Sequence, residues 1–247
     1  MSDPQGLVYD PVAEVYERGR TDWPASVADG IAGQTVLDLA AGTGKLTRVL
    51  VARFPRVIAV EPLAAMREVG ARLVPEADWL DGTAEALPLP DASVDAAFVA
   101  DAFHWFDAAA AARELARVIR PGGILAVVFA VFAGGFEPDL PEEAIEAVRD
   151  VSRRTGRTGA PKIESGEWRA GLAAAPFGDL EERKLAFEHV TDREGVIAYY
   201  LSMSTVAARP QRERDDLAAT LRELLTDAEH RVRVRVLTYR AERVSPP

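Results

Sequence analysis

No cysteine occurs among the 247 residues, which excludes disulfides, cysteine-ligated zinc, iron–sulfur clusters and thiol nucleophiles. Histidine is nearly as scarce. His104, His189 and His230 are too widely spaced to give a histidine-rich metal site, so no metal is expected. Basic charge is the next deficit: 29 Lys and Arg stand against 39 Asp and Glu, a formal net charge of −10. No run of Lys and Arg with interleaved aromatics forms the platform that a nucleic acid requires. Long apolar runs are missing too. None reaches the roughly 20 residues that cross a bilayer, and the start "MSDPQGLVYD" has neither the basic nor the apolar segment of a secretory signal. A soluble, cytoplasmic protein with no nucleic-acid or membrane partner is expected.

What is present is a sizeable core, with 48% hydrophobic residues. The length allows one large domain or two small ones. No internal repeat, low-complexity tract or long linker interrupts the chain, which favours one. Residues 1–33 read as helical pieces broken by Gly19, Pro24, Gly30 and Gly33. From Val36 the pattern is regular. "TVLDLA", "VIAVE", "DWLDG", "VDAAFVAD" and "ILAVVFAVF" read as strands. Between them "TGKLTRVLVARF", "LAAMREVGARL" and "AAAAARELARVIR" carry helical spacing, the last ended by "PGG". Such alternation implies right-handed crossovers and a parallel sheet covered on both faces. Residues 137–178 read as helices and loops. "LEERKLAFEHV" follows as a strand, then "DREGVIAYYLSMSTVAA" and "QRERDDLAATLRELLTDA" as helices. In the final strand "RVRVRVLTYRAERV", Arg231, Arg233 and Arg235 alternate with valines, the pattern of a half-buried strand with a solvated edge.

The turn "VLDLAAGTGKLTRVL", residues 36–50, joins strand to helix, and turns of this kind hold three nucleotide ligands. A triphosphate site fails on spacing: Leu39 stands at the first glycine position of a P-loop, and Leu46 follows Gly44-Lys45 where a magnesium-binding hydroxyl belongs. A dinucleotide site comes closer, with Gly42 and Gly44, but Thr47 replaces the third glycine. Asp38 at the strand end also repels a pyrophosphate. S-adenosylmethionine meets both objections. It has no phosphate, and its ammonium and sulfonium suit Asp38, while Gly42 and Gly44 let the backbone approach. Glu61 ends the second strand, about 20 residues on, where an acid meets ribose hydroxyls.

The blocks "VLDLAAGTGKLT", "VIAVEP", "DGTAEALPLPDASVDAAFVADAFHWFD" and "RVIRPGGILAVV" resemble the class I S-adenosylmethionine-dependent methyltransferases, over about Thr35 to Phe132. "AFHWFD" and "YERGRTDWP" are similar to its small-molecule branch, the type 11 and trans-aconitate-like enzymes. The resemblance implies an α/β, Rossmann-like fold with a seven-stranded, mostly parallel sheet, helices on both faces and a final antiparallel strand. It divides one domain into a helical lid (1–33), a cofactor-binding core (34–132) and substrate-side helices with the last strands (133–247). It carries the cofactor roles onto Asp38, Ala40, Gly42 and Gly44, with Glu61 on the ribose and Pro62 and Leu63 flanking the adenine. Ala40 stands where many members have glycine, which is tolerated if the backbone there is not left-handed. Thr83 replaces an Asp that meets the adenine amino group, and the Ala84 N–H serves the ring nitrogen. Ala100 and Asp101 fall beside the methionine portion, with Asp101 where neutral Gln is commoner. Tyr16 and Arg20 come from the lid, Arg20 toward the methionine carboxylate.

Methyl transfer needs acceptor, methyl and sulfur aligned in a dry pocket, and a base only if the acceptor must lose a proton. His104 is the candidate base, just past the fourth strand where ligands of open α/β sheets gather. Its plainer reading is a loop-fixing or pocket-lining imidazole. Phe103, Trp105, Trp23, Tyr200 and Ser204 are candidate acceptor contacts, each with ordinary packing as the alternative. The expected activity is transfer of a methyl group from S-adenosylmethionine, leaving S-adenosylhomocysteine, to a carboxylate or hydroxyl of a small molecule, by a monomer or homodimer. A cofactor-retaining cyclase or decarboxylase on the same scaffold, or a non-catalytic binding protein, stands as the alternative.

Overall fold

Strands and helices alternate from Thr35 onward in the computed structural model, which describes residues 5–132, 140–154 and 166–244. A 3₁₀ turn at Gln5–Val12, the helix α1 (Ala13–Gly19) and a second 3₁₀ turn at Ala25–Ala28 come first. Then follow β1 (Thr35–Leu39), α2 (Thr47–Val51), β2 (Arg56–Val60), α3 (Ala64–Leu73), β3 (Asp78–Leu80), β4 (Val94–Ala100), α4 (Ala108–Val118) and β5 (Ile119–Phe132). The later elements are α5 (Glu142–Arg153), α6 (Glu167–Leu172), β6 (Glu181–Asp192), α7 (Arg193–Leu201), α8 (Ser204–Ala207), α9 (Gln211–Leu224) and β7 (Glu229–Glu242). Residues 137–139 and 155–165 of the expected helix-and-loop segment lie outside the described residues.

Among the described residues the sheet has seven strands in the order β3-β2-β1-β4-β5-β7-β6. The first five pair in parallel. The backbone bonds Gly122 N–H to Arg243 O and Arg243 N–H to Gly123 O, each 2.8 Å, set the end of β7 beside the start of β5. Gly178 N–H donates to Glu242 O at 2.9 Å, setting that same end beside the start of β6. Both joins are therefore antiparallel. The expected mostly parallel, Rossmann-like sheet is present, and β7 lies inside it. The three arginines of β7 are exposed between buried Val232, Val234 and Val236 as expected, but the edge strand is β6. Arg231 reaches across to Glu188 at 2.9 Å.

The central strands are buried on both faces, which is why they read as continuous apolar runs. Leu37, Leu39, Ala97, Val99, Leu125 and Val127 share one core with Ala111, Ala112 and Leu115 of α4. Small alanines let α4 approach the sheet, and Asp107 caps it by accepting from Ala110 N–H at 3.0 Å. On the alternate positions Phe98 meets Phe54, ring centroids 6.0 Å apart.

Three elements differ from the sequence reading. Regular helix begins at Thr47, not Thr43, because the glycine turn occupies the intervening residues. The chain becomes extended at Ile119, before "PGG". Val94 pairs with Ile119 and Ala96 with Ile124, so Pro121 and Gly122 (φ 79°) bulge out of the ladder. The long helix expected from 192 to 208 breaks at Ser202–Met203. The Ser202 hydroxyl donates to Tyr199 O at 2.8 Å and its carbonyl accepts from Arg20 at 3.0 Å, which takes it out of the helical ladder.

The chain divides into two compact units. One comprises Asp22–Ala130, Pro161–Leu185 and Val236–Pro247, the other Met1–Thr21, Val131–Ala160 and Ala186–Arg235. The first holds β1–β4, β5 up to Ala130, α2–α4 and α6; the second holds α1, α5 and α7–α9. No helix among the described residues is long and apolar enough to cross a membrane.

Candidate functional site

Asp38 sits near the end of β1, 1% exposed, on the face turned toward α2. Thr47, at the first position of α2 and fully buried, donates its hydroxyl to Asp38 Oδ2 at 2.6 Å. Burial pushes the Asp38 carboxyl up to about 7, against the Thr47 hydrogen bond and with a smaller push from the charge of Glu61. No basic side chain among the described residues bonds it. Thr47 thus joins the candidate site through Asp38, where the sequence reading treats it only as the lack of a third glycine. The signal available was a hydroxyl at the start of the helix that follows an acid-ended strand.

Between these two residues the backbone turns sharply, with Ala40 at φ 56°, Gly42 at 59° and Gly44 at 86°. The condition set for Ala40 is not met: its backbone is left-handed, and the alanine carries strain that glycine would avoid. A Cβ built on Gly42 meets no atom within 4 Å, so the turn faces open space there. One on Gly44 would press on Val74 at 3.1 Å and Trp79 at 3.2 Å, so that glycine serves packing.

Glu61, just past β2 and 4% exposed, bridges the two strand ends. Its Oε2 accepts from Gly42 N–H and its Oε1 from Leu63 N–H, both at 2.9 Å. The carboxylate is thereby fixed in the turn. Pro62 is exposed and Leu63 buried at the start of α3. In the loop after β3, Thr83 is exposed and Ala84 buried, and Ala86 N–H donates to Thr83 O at 3.3 Å.

Ala100 closes β4. Asp101 follows in a left-handed conformation, φ 50°, which Asp tolerates better than most residues, and its Oδ1 accepts from Ala130 N–H at 2.8 Å. That bond ties together the ends of β4 and β5. The next turn, Phe103–Trp105, presents His104 half-buried against Trp105 and Phe129, at 4.8 and 6.0 Å between ring centroids. Burial pushes the imidazole down to about 4, and its buried Nδ1 has no hydrogen-bond partner among the described residues. Phe103 is fully buried against Trp168 and Phe106, a core position. Trp23 is half-buried. Its neighbour Asp22 accepts from Lys45 at 3.1 Å and Arg48 at 3.0 Å, which anchors this segment on the glycine turn.

These residues all belong to one unit. Tyr16, Arg20, Tyr200 and Ser204 belong to the other. There Arg20 lies 5.3 Å from the Tyr16 ring and 5.2 Å from the Tyr199 ring, and donates to Ser202 Oγ and O at 3.0 Å. Its guanidinium is engaged by Ser202, where the sequence reading expected a methionine carboxylate. Tyr200 is buried on α7 and Ser204 opens α8.

Residues 37–127 match the family model described as a methyltransferase domain. An uncharacterized methyltransferase of Mycobacterium tuberculosis is 36% identical over 222 residues, covering 89% of this chain and 86% of the relative. A trans-aconitate 2-methyltransferase of Azoarcus is 29% identical over 175 residues, 68% of this chain and 66% of that one. Among solved structures, a protein described as a type II methyltransferase from Anaeromyxobacter dehalogenans superposes with a TM-score of 0.64 at 27% identity, covering 92% of this chain and 99% of its own. The matched segment contains the glycine turn, Asp38 and Glu61, and with that likeness the chain belongs to the class I S-adenosylmethionine-dependent methyltransferases.

Proposed function

We propose that this methyltransferase acts on a small molecule and places the methyl group on oxygen, with a carboxylate as the preferred acceptor and a hydroxyl as the second choice. S-adenosylmethionine supplies an electrophilic methyl on a sulfonium. The donor set suits it: two buried carboxylates flank a turn whose Gly42 side is open, and Asp38 has no cationic partner among the described residues. A phosphate ligand would meet two negative groups there. In this reading Asp38 receives the ammonium, held in place by Thr47. Glu61 accepts the ribose hydroxyls, Pro62 and Leu63 flank the adenine, and Thr83 with the Ala84 N–H meets its polar edge. Ala40, Ala100 and Asp101 complete the wall.

The acceptor assignment is carried by His104, which packs on Trp105 and Phe129 and whose buried Nδ1 has no partner among the described residues that would orient the ring as a base. An imidazole pushed down to about 4 is neutral at physiological pH and a weak base, so it is poorly matched to stripping a hydroxyl. A carboxylate acceptor arrives already ionised and needs only positioning and exclusion of water. His104 and Trp105 line that approach in this reading. Residue 23 contributes its indole, and Phe103 supports the loop from the core. The trans-aconitate relative is named for an acid of this kind. The protein acts in the cytoplasm as a monomer or homodimer, without nucleic acid or membrane.

Incubation with S-adenosylmethionine and a panel of small carboxylic acids and phenols, read by mass spectrometry, tests this reading. Methyl esters formed together with S-adenosylhomocysteine are expected. Methylated phenols without esters, or a changed acceptor with the cofactor's methyl retained, would overturn it.

A further inference from the structure

The unit built from α1, α5 and α7–α9 contains a cavity of about 320 Å³. None of the residues assigned to the cofactor is among its described lining. Its size falls at the lower end of small-molecule pockets, about 300–1,000 Å³. Ile145 and Val148, one helical turn apart on α5, supply one apolar wall. Tyr200 from the end of α7 and Met203 from the break after it supply the other. That break, caused by Ser202, is what turns Met203 and Thr205 onto the cavity instead of continuing the helix.

The polar lining has one sign. Arg149 and Arg153 stand four residues apart on α5, half or more exposed, and no acidic side chain lines the cavity among the described residues. Both guanidiniums reach Glu146, at 3.4 and 3.3 Å, and that carboxylate lies outside the lining. The remaining polar lining is neutral: the hydroxyls of Ser152 and Thr205, 3.2 Å from each other, and that of Tyr200. An apolar chamber with two arginines on its wall is matched by a ligand with a compact apolar body and one carboxylate, which a guanidinium can hold through two parallel hydrogen bonds.

We infer that this cavity is a binding site for a small carboxylic acid with an apolar or aromatic body. The inference stands on the geometry of one unit and does not depend on the acceptor proposed above, although acids that bind here are the first to try in the turnover assay.

Calorimetric titration of the full chain with 3-phenylpropionate, and with its neutral amide, tests it. Saturable binding of the acid is expected, with the amide about tenfold weaker or more. Arg149→Gln/Arg153→Gln should bring the acid down to the affinity of the amide. Met203→Trp, at a half-exposed position, should abolish binding of both by filling the chamber. In each variant, unchanged affinity for S-adenosylmethionine reports that the chain is folded. Ile145→Phe serves as the filling variant if Met203→Trp fails that control. No saturable binding at millimolar acid, equal binding of acid and amide, or binding that survives the filling variant would each overturn the inference.

Discussion

Ala40 holds a left-handed backbone at φ 56°, a conformation that costs an L-residue roughly 1–2 kcal/mol. Glycine adopts it freely but loses about 0.5–1 kcal/mol of chain entropy. Ala40→Gly should therefore stabilise the protein by up to about 1 kcal/mol, seen as a higher urea midpoint; a lower midpoint would mean that the turn does not carry this strain. Thr47→Val should weaken S-adenosylmethionine about tenfold by freeing Asp38 to rotate, and Thr47→Ser should restore it. If the serine variant is as weak as the valine one, the hydroxyl is not what matters. Burial holds the folded Asp38 carboxyl at about 7, above the ordinary value of 3.8, so the folded state favours the neutral acid. Stability contributed by this group is lost as pH rises from about 4 through 7, and Asp38→Asn should flatten that slope. A cationic ligand reverses the preference, so cofactor affinity should rise between about pH 6 and pH 8 in wild type and less in Asp38→Asn. His104 shifts the other way, so its burial costs stability as pH falls from 6.5 toward 4. The rate on a carboxylate acceptor should show no histidine inflection above about pH 5. The acids and glycines were legible because strand, turn and helix are written in their spacing. Thr47 was not, because its meaning depends on α2 folding back over β1. The strain at Ala40 was not legible because sequence does not show φ.

At the scale of elements, one indole connects the glycine turn to its neighbours. Trp79 of β3 donates to Val74 O at 3.0 Å, lies under Gly44, and leaves no room above Gly70 of α3, where an added Cβ would stand 2.1 Å from the ring. Gly70→Ala should therefore cost about 1–3 kcal/mol and weaken cofactor binding through the shifted indole; thermal unfolding and calorimetry on that variant check both effects, and an unchanged Tm would contradict this packing. The parallel strands were legible because burial on both faces writes unbroken apolar runs. The helix break at Ser202 was not, since it depends on Arg20 capturing a carbonyl 182 residues away. The early start of β5 was hidden by Pro121 and Gly122, which read as a stop but form a bulge inside the strand.

At the scale of the molecule, the chain carries a net charge of −10 and buries two of its acids, Asp38 and Glu61, beside the glycine turn. The division into two units leaves no mark in composition because three of its boundaries fall inside strands: in β5 between Ala130 and Val131, in β6 between Leu185 and Ala186, and in β7 between Arg235 and Val236. The family was legible from the segment that carries the turn, and the acceptor was not, because it is chosen by side chains brought together from separate segments. Calorimetric titration of S-adenosylmethionine into wild type, Glu61→Gln and Glu61→Ala is the most direct test of the acidic crevice. Glu61 also holds the N–H groups of Gly42 and Leu63, so the glutamine variant, which keeps one acceptor, separates loss of ribose contacts from loosening of the turn. Wild type should bind, and Glu61→Ala should bind roughly 10- to 100-fold more weakly while still unfolding cooperatively, with Glu61→Gln between them. Equal affinity across the three proteins would contradict the assignment of this crevice to the methyl donor.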